Sequence, residues 1–70
     1  MAYVIETPCK NDLIQFVDFH ETFNHDLVSS CFYPGDSGLI ISVSIIYCDI
    51  ISGGEVFNDI PIKKIQKIHI

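Results

Sequence analysis

Pro34-Gly35-Asp36-Ser37-Gly38, followed by Leu39-Ile40-Ile41-Ser42-Val43-Ser44-Ile45-Ile46, is the stretch on which the fold turns. It reads as a turn leading into the most strand-like run of the chain. Leu39, Ile41, Val43 and Ile45 alternate with Ile40, Ser42, Ser44 and Ile46, and a period of two sends the two sets to opposite faces of a strand. The first set is wholly apolar. The second is apolar at its ends and hydroxylic in the middle, as in a half-covered sheet. β-branched side chains dominate and suit a pleated surface better than a helix. Pro34 and Gly35 stop any preceding helix, and Gly38 permits a bend as the strand begins.

Downstream, Tyr47-Cys48-Asp49-Ile50-Ile51-Ser52 is again strand-like. Gly53-Gly54 signals a tight hairpin, because two glycines accept the positive φ angles of a primed turn. Glu55 to Ile60 is then the returning strand, and Pro61 withdraws a backbone donor and ends its ladder. In the tail, Ile62, Ile65 and Ile68 recur every three residues, which suggests a short 3-10 turn. Ile68 and Ile70 recur every two. The expectation is one turn at residues 61–65 and a closing strand at 66–70.

Upstream, Tyr3-Val4-Ile5-Glu6-Thr7 reads as a short strand or an arm, ended by Pro8 and by the turn Lys10-Asn11-Asp12. Leu13 to Phe19 is a strand candidate whose polar residues Gln15 and Asp18 fall on opposite faces. His20 to Tyr33 is the least regular part. A connection of that length in a small domain is usually functional or contains an element of its own.

Seventy residues make one domain near the lower limit for a self-sufficient core. We divide it into residues 1–11 as the N-terminal strand or arm and 12–70 as the body. The formal net charge is −5, with four lysines and no arginine. Binding to nucleic acid rests largely on basic groups meeting phosphate, so direct nucleic-acid binding is not expected. Lys63, Lys64 and Lys67 read as a solvated face. The first residues lack a basic segment followed by a long apolar one, and no apolar run approaches the roughly 20 residues of a membrane span. A cytoplasmic location with no membrane partner is the expectation, and Cys9, Cys31 and Cys48 then read as free thiols. The isoleucine-rich, arginine-free composition is that of an AT-rich gene, as in a low-GC bacterium or a phage.

The order of these features resembles the SH3-like small β-barrels. Asp18-Phe19 is similar to the end of the Ala-Leu-Tyr-Asp-Tyr-type segment of SH3 domains. The excursion from His20 to Tyr33 stands where their long loop would be. Gly35-Asp36 followed by Leu39-Ile40 resembles their Gly-Asp turn and strand, and Pro61 to Ile65 resembles their 3-10 turn. The resemblance covers residues 12–70. It implies a mostly β fold, a single small barrel of about five strands with a long loop after the first core strand and a 3-10 turn before the last. Proline-recognising SH3 domains use a tryptophan in the peptide groove. This chain has none, so the resemblance carries the fold and not proline-motif binding.

Chemistry-bearing groups are few. His20, Glu21, His25 and Asp26, with Cys31 near them in sequence, are the one cluster of metal-ligand types. His20 and His25 are five residues apart, not the four that align two imidazoles on a helix face, so no metal or other cofactor is expected. Cys31 with His25 can be drawn as a nucleophile and base. Gly35-Asp36-Ser37-Gly38 echoes the serine-protease string, but the chain is too short for that double barrel, and Ser37 reads as a turn residue. No enzymatic activity is expected.

These features suggest an adaptor or binding module acting through a protein–protein interface. Phe19, Phe23, Phe32 and Tyr33 would be its anchors, with Glu21 and Asp26 at an acidic rim. Acidic residues spread over a small surface suit a partner with a basic face. An alternative is a phage-encoded inhibitor or nucleic-acid mimic that occupies a basic site on a host enzyme. Another is a small structural subunit of a larger assembly, or a homo-oligomer, joined through edge strands at Tyr3–Thr7 or Gln66–Ile70.

Overall fold

The Gly53-Gly54 hairpin forms as the dipeptide requires. In a computed structural model that describes residues 7–23 and 26–68, both glycines have positive φ, +60° and +82°, and they join two antiparallel strands in the register Ser52↔Glu55. Among the described residues there are seven strands and one 3-10 turn. They run β1 (Leu13–Phe16), β2 (His20–Phe23), β3 (Ser29–Phe32), β4 (Ser37–Val43), β5 (Tyr47–Ser52), β6 (Glu55–Pro61), η1 (Ile62–Lys64) and β7 (Ile65–Lys67). The main sheet is antiparallel, in the order β6-β5-β4-β1-β7, and β2 with β3 forms a separate hairpin. The fold is therefore mostly β.

A closed barrel is not found. Among the described residues β6 and β7 stand at opposite ends of the strand order with no ladder between them. Physical reasons lie in the connection itself: Pro61 has no N–H to donate, and η1 turns the chain over onto β1, which takes up all three residues of β7. The first core strand is also shorter than Leu13 to Phe19. It stops at Phe16 because the next amide, that of Val17, donates to the Lys64 carbonyl in η1 (2.9 Å) and not to a strand. The excursion contains a regular hairpin, β2–β3. Residues 24 and 25, between its two strands in sequence, lie outside the described residues. The closing strand comes one residue earlier than 66–70. The proposed N-terminal strand lies almost wholly outside the described residues, as do His69 and Ile70.

Tyr33-Pro34-Gly35-Asp36 forms the turn into β4. The Asp36 amide donates to the Tyr33 carbonyl (2.9 Å), and the Tyr33 amide donates to Asp36 Oδ2 (2.8 Å). Pro34 presets one central φ, and Gly35 takes the positive one, +100°, the pattern of a type II turn.

Both faces of β4 carry isoleucine, and the structure chooses between them. Gly38 and Ile40 face inward, and Leu39 and Ile41 are only half buried. A bulge between Ile40 and Ser42 then shifts the register against β5, so the two-residue alternation does not extend to Ile45. That side chain, with Ile46, ends at a hairpin tip, 95% and 61% exposed. A second bulge sits on β6, where Asn58 and Asp59 together oppose Asp49. It explains why Phe57 and Ile60, three apart, both point inward. Asp59 has φ +57° there, a conformation aspartate tolerates better than most residues.

Asp49 joins the two bulges. Its Oδ2 accepts from Ser42 Oγ on β4 (2.8 Å) and its Oδ1 from the Asp59 amide on β6 (3.0 Å). The core beneath is Ile14, Phe16, Phe32, Ile40, Cys48, Ile50, Phe57, Ile60 and Ile65. Phe32 stacks on Phe16 with centroids 4.4 Å apart and meets Phe57 edge-on at 4.8 Å, which locks the β2–β3 hairpin onto the main sheet. On the outer face, Leu13, Leu39, Ile51 and Val56 stand directly opposite one another across four strands.

Candidate binding surface

The β2–β3 hairpin sorts its side chains by parity. Its register is His20↔Phe32, Glu21↔Cys31, Thr22↔Ser30 and Phe23↔Ser29. Phe32 turns inward and is 6% exposed. The expected anchor Phe32 is therefore a core residue, because its strand position faces Phe16 and Phe57. His20, opposite it, lies near the Phe16 ring with centroids 6.4 Å apart and planes nearly parallel. Burial, and then the Lys64 ammonium nearby, push the His20 imidazole below its ordinary pKa. Glu21 and Cys31 face the other way. The hairpin thus separates His20 from Glu21, and among the described residues no group of three or more metal-ligand side chains occurs. His25 lies outside them.

The remaining expected anchors are outside the core. Phe19 and Tyr33 are 45% and 58% exposed, and their rings meet at 5.4 Å in a tilted arrangement. The pair is held from below. Lys64 Nζ donates to the Phe19 carbonyl (2.9 Å), and Tyr33 is fixed by the turn at Asp36. Phe23 is 60% exposed further along the hairpin. Glu21 and Asp26 are exposed. Leu27, at φ +61°, is also exposed near the tip. The structure thus brings Phe19 and Tyr33 together, leaves Phe23 apart from them and removes Phe32.

A second apolar feature lies on the other side of η1. The Ser44 to Tyr47 turn is closed by the Ser44 amide and hydroxyl, which donate to the Tyr47 carbonyl (2.8 and 3.0 Å). The Ile62 amide donates to the Ile46 carbonyl (3.0 Å), tying η1 to that turn. Between them opens a groove of about 520 Å³ lined by Ile45, Ile46, Tyr47, Pro61, Ile62 and Lys63. Its size falls within the roughly 300–1,000 Å³ typical of ligand pockets. The sequence alone places Ile45 and Ile46 on a strand and residues 61–65 in a turn, and nothing in it joins the two. The one signal is the pair of isoleucines just beyond Ser42-Val43-Ser44, where a turn would leave them outside.

His25, the base drawn for Cys31, lies outside the described residues. Cys9 and Cys31 are exposed and Cys48 is buried, all free. Burial, and then the neighbouring Asp49 carboxylate, push the Cys48 thiol up to about 11, so it stays protonated and inert. Ser37 belongs to β4, paired with Gln15, and its carbonyl accepts from Ser52 Oγ (2.7 Å). No helix among the described residues is long and apolar enough to cross a membrane. Comparison of the chain with protein-family models, with curated proteins and with solved structures finds no match.

Proposed function

We propose that this chain is a non-enzymatic protein-binding module on an SH3-like scaffold, working from the apolar surface on the two sides of η1. The observation that carries the reading is the groove at Ile45, Ile46, Tyr47, Pro61 and Ile62 together with the exposed Phe19–Tyr33 pair. Exposed aromatics held by backbone contacts beside an apolar concavity are what interface anchors require. The scaffold reading is supported by the strand order, by the hairpin inserted between the first and second core strands, and by the 3-10 turn before the last strand. Glu21 and Asp26 stand at the hairpin as an acidic rim toward a partner with a basic surface.

The test is a selection of binding peptides from a random display library, followed by titration of the selected peptides against variants. Tyr33→Ala and Ile46→Ala should each weaken binding about tenfold or more, with unchanged circular dichroism and melting temperature. Phe23→Ala should weaken it if the hairpin tip joins the interface. Affinity unaffected by all three replacements would refute this surface.

A self-assembling subunit is the second reading, favoured by the two edge strands β6 and β7. Sedimentation that stays monomeric over a hundredfold concentration range would remove it.

A further inference from the structure

We infer that the groove between the Ser44–Tyr47 turn and η1 receives an apolar segment of a partner protein that carries a carboxylate, and that Lys63 is the group that recognises it. This rests on the binding-module reading and names the chemistry of the occupant. Five of the six lining residues are apolar or aromatic and the sixth is Lys63. The other lysine on η1 is committed, since Lys64 Nζ donates to the Phe19 carbonyl. Lys67 lies 3.7 Å from Asp12 Oδ1. The Lys63 side chain has neither a hydrogen bond nor an ion pair among the described residues and is exposed at the groove.

The charge pattern is unusual for this molecule. Nine acids against four lysines make the net charge negative, yet among the described residues that line the groove the one charged side chain, Lys63, is positive. A basic side chain seated there would face an ammonium at short range, in surroundings partly stripped of water by isoleucine. A carboxylate beside two or three apolar side chains is matched by both the lining and the charge. Because the chain as a whole carries a net charge of −5, the fit is to one acid placed among apolar residues and not to a generally acidic partner.

The experiment is a titration of the ¹⁵N-labelled full chain with the acetylated, amidated tetrapeptide Leu-Asp-Leu-Phe, followed by amide shifts. Leu-Asn-Leu-Phe and Leu-Lys-Leu-Phe serve as controls. Shifts should concentrate at Ile45, Ile46, Tyr47, Ile62 and Lys63. The aspartate peptide should bind about two- to fivefold more tightly than the asparagine one, the gain expected of an exposed ion pair. Lys63→Glu, a change at an exposed position, should abolish that preference and favour the lysine peptide instead. Equal binding of the aspartate and asparagine peptides would overturn the carboxylate assignment while leaving an apolar groove. Absence of groove shifts with every peptide would overturn the groove as a docking site altogether. Shifts of the same residues on raising protein concentration alone would assign the groove to a second copy and overturn the proposal. Preferential binding of a basic proline-rich peptide would do the same.

Discussion

Asp49 is the residue whose replacement most directly tests how this sheet is held. Its carboxylate spans three strands at the two places where their register slips, accepting from Ser42 Oγ and from the Asp59 amide. Hydrogen bonds to a charged group contribute roughly 1.5–3 kcal/mol each when well buried. Asp49 is only half buried, so the lower end applies, and two bonds give about 2–3 kcal/mol for Asp49→Ala. Asp59 also loses the partner that holds its positive φ. The melting temperature should fall by about 8–24 °C, since a domain of this size loses about 4–8 °C per kcal/mol. Asp49→Asn is the decisive control. Its amide oxygen can still accept from the Asp59 amide and its nitrogen can donate to Ser42 Oγ, so the cost should stay below about 1 kcal/mol. Ser42→Ala should cost about 1 kcal/mol alone and nearly nothing in the Asp49→Ala background, because both changes remove the same bond. The assay is urea denaturation followed by far-ultraviolet circular dichroism. Two results would refute the reasoning: an Asp49→Ala protein within 0.5 kcal/mol of the parent, or asparagine as costly as alanine.

Three further outcomes follow from the same geometry. Gly54→Ala should destabilise the fold by about 1 kcal/mol, because φ is +82° with open space around it and the cost is backbone strain, partly offset in the unfolded chain; equal urea midpoints would contradict this. Cys48 has a folded pKa of about 11, above its ordinary 9.0, so the unfolded chain releases this proton first and stability should fall as pH rises from about 9 towards 11, a slope that Cys48→Ala should remove in denaturation series across that range. His20 has its folded pKa lowered from 6.5, so the stability it contributes is present above that pH and is lost on acidification through the folded value; Lys64→Met should raise the His20 pKa in an NMR titration and leave less stability to lose.

Much of the order along the chain was legible because it rests on local chemistry. Gly53-Gly54 demanded a hairpin, Pro34-Gly35 a turn, and the isoleucine spacing around Pro61 a 3-10 turn, and each formed where the residues required it. What escaped was decided by contacts between distant residues. On β4 both faces offer isoleucine, so alternation could not say that Ile40 goes inward and Leu39 outward. The bulge that sets Ile45 free depends on Asp49, seven residues away from Ser42 and ten from Asp59. Phe32 looked like its neighbours Phe23 and Tyr33 because nothing local marks the position that meets Phe16. The site was half legible for the same reason: Phe19 and Tyr33 stand out as aromatics in a polar stretch, whereas the groove exists only once β5, β6 and η1 are brought together.

The placement of isoleucine at the Ser44–Tyr47 turn bears on why that groove exists. Turn positions ordinarily go to glycine, asparagine, aspartate or serine, which satisfy local backbone geometry and water. Here two β-branched side chains occupy the tip, and neither has the positive φ that would mark a strained primed turn. Burying such a side chain contributes about 1.5–3 kcal/mol, and Ile45, at 95% exposure, forfeits nearly all of it. Folding stability therefore gives no reason for isoleucine at this position, and solubility argues against it. The serines immediately before it, Ser42 and Ser44, are both used, one bonded to Asp49 and the other closing the turn, so the polar chemistry of the segment is already satisfied without the tip. A side chain that adds nothing to the core, stands at the mouth of an apolar groove and belongs to a turn closed by hydrogen bonds supports the proposal that this surface serves association. The same bulge that spoils the alternation of β4 is thus what carries Ile45 out of the sheet and into the position where a partner could cover it.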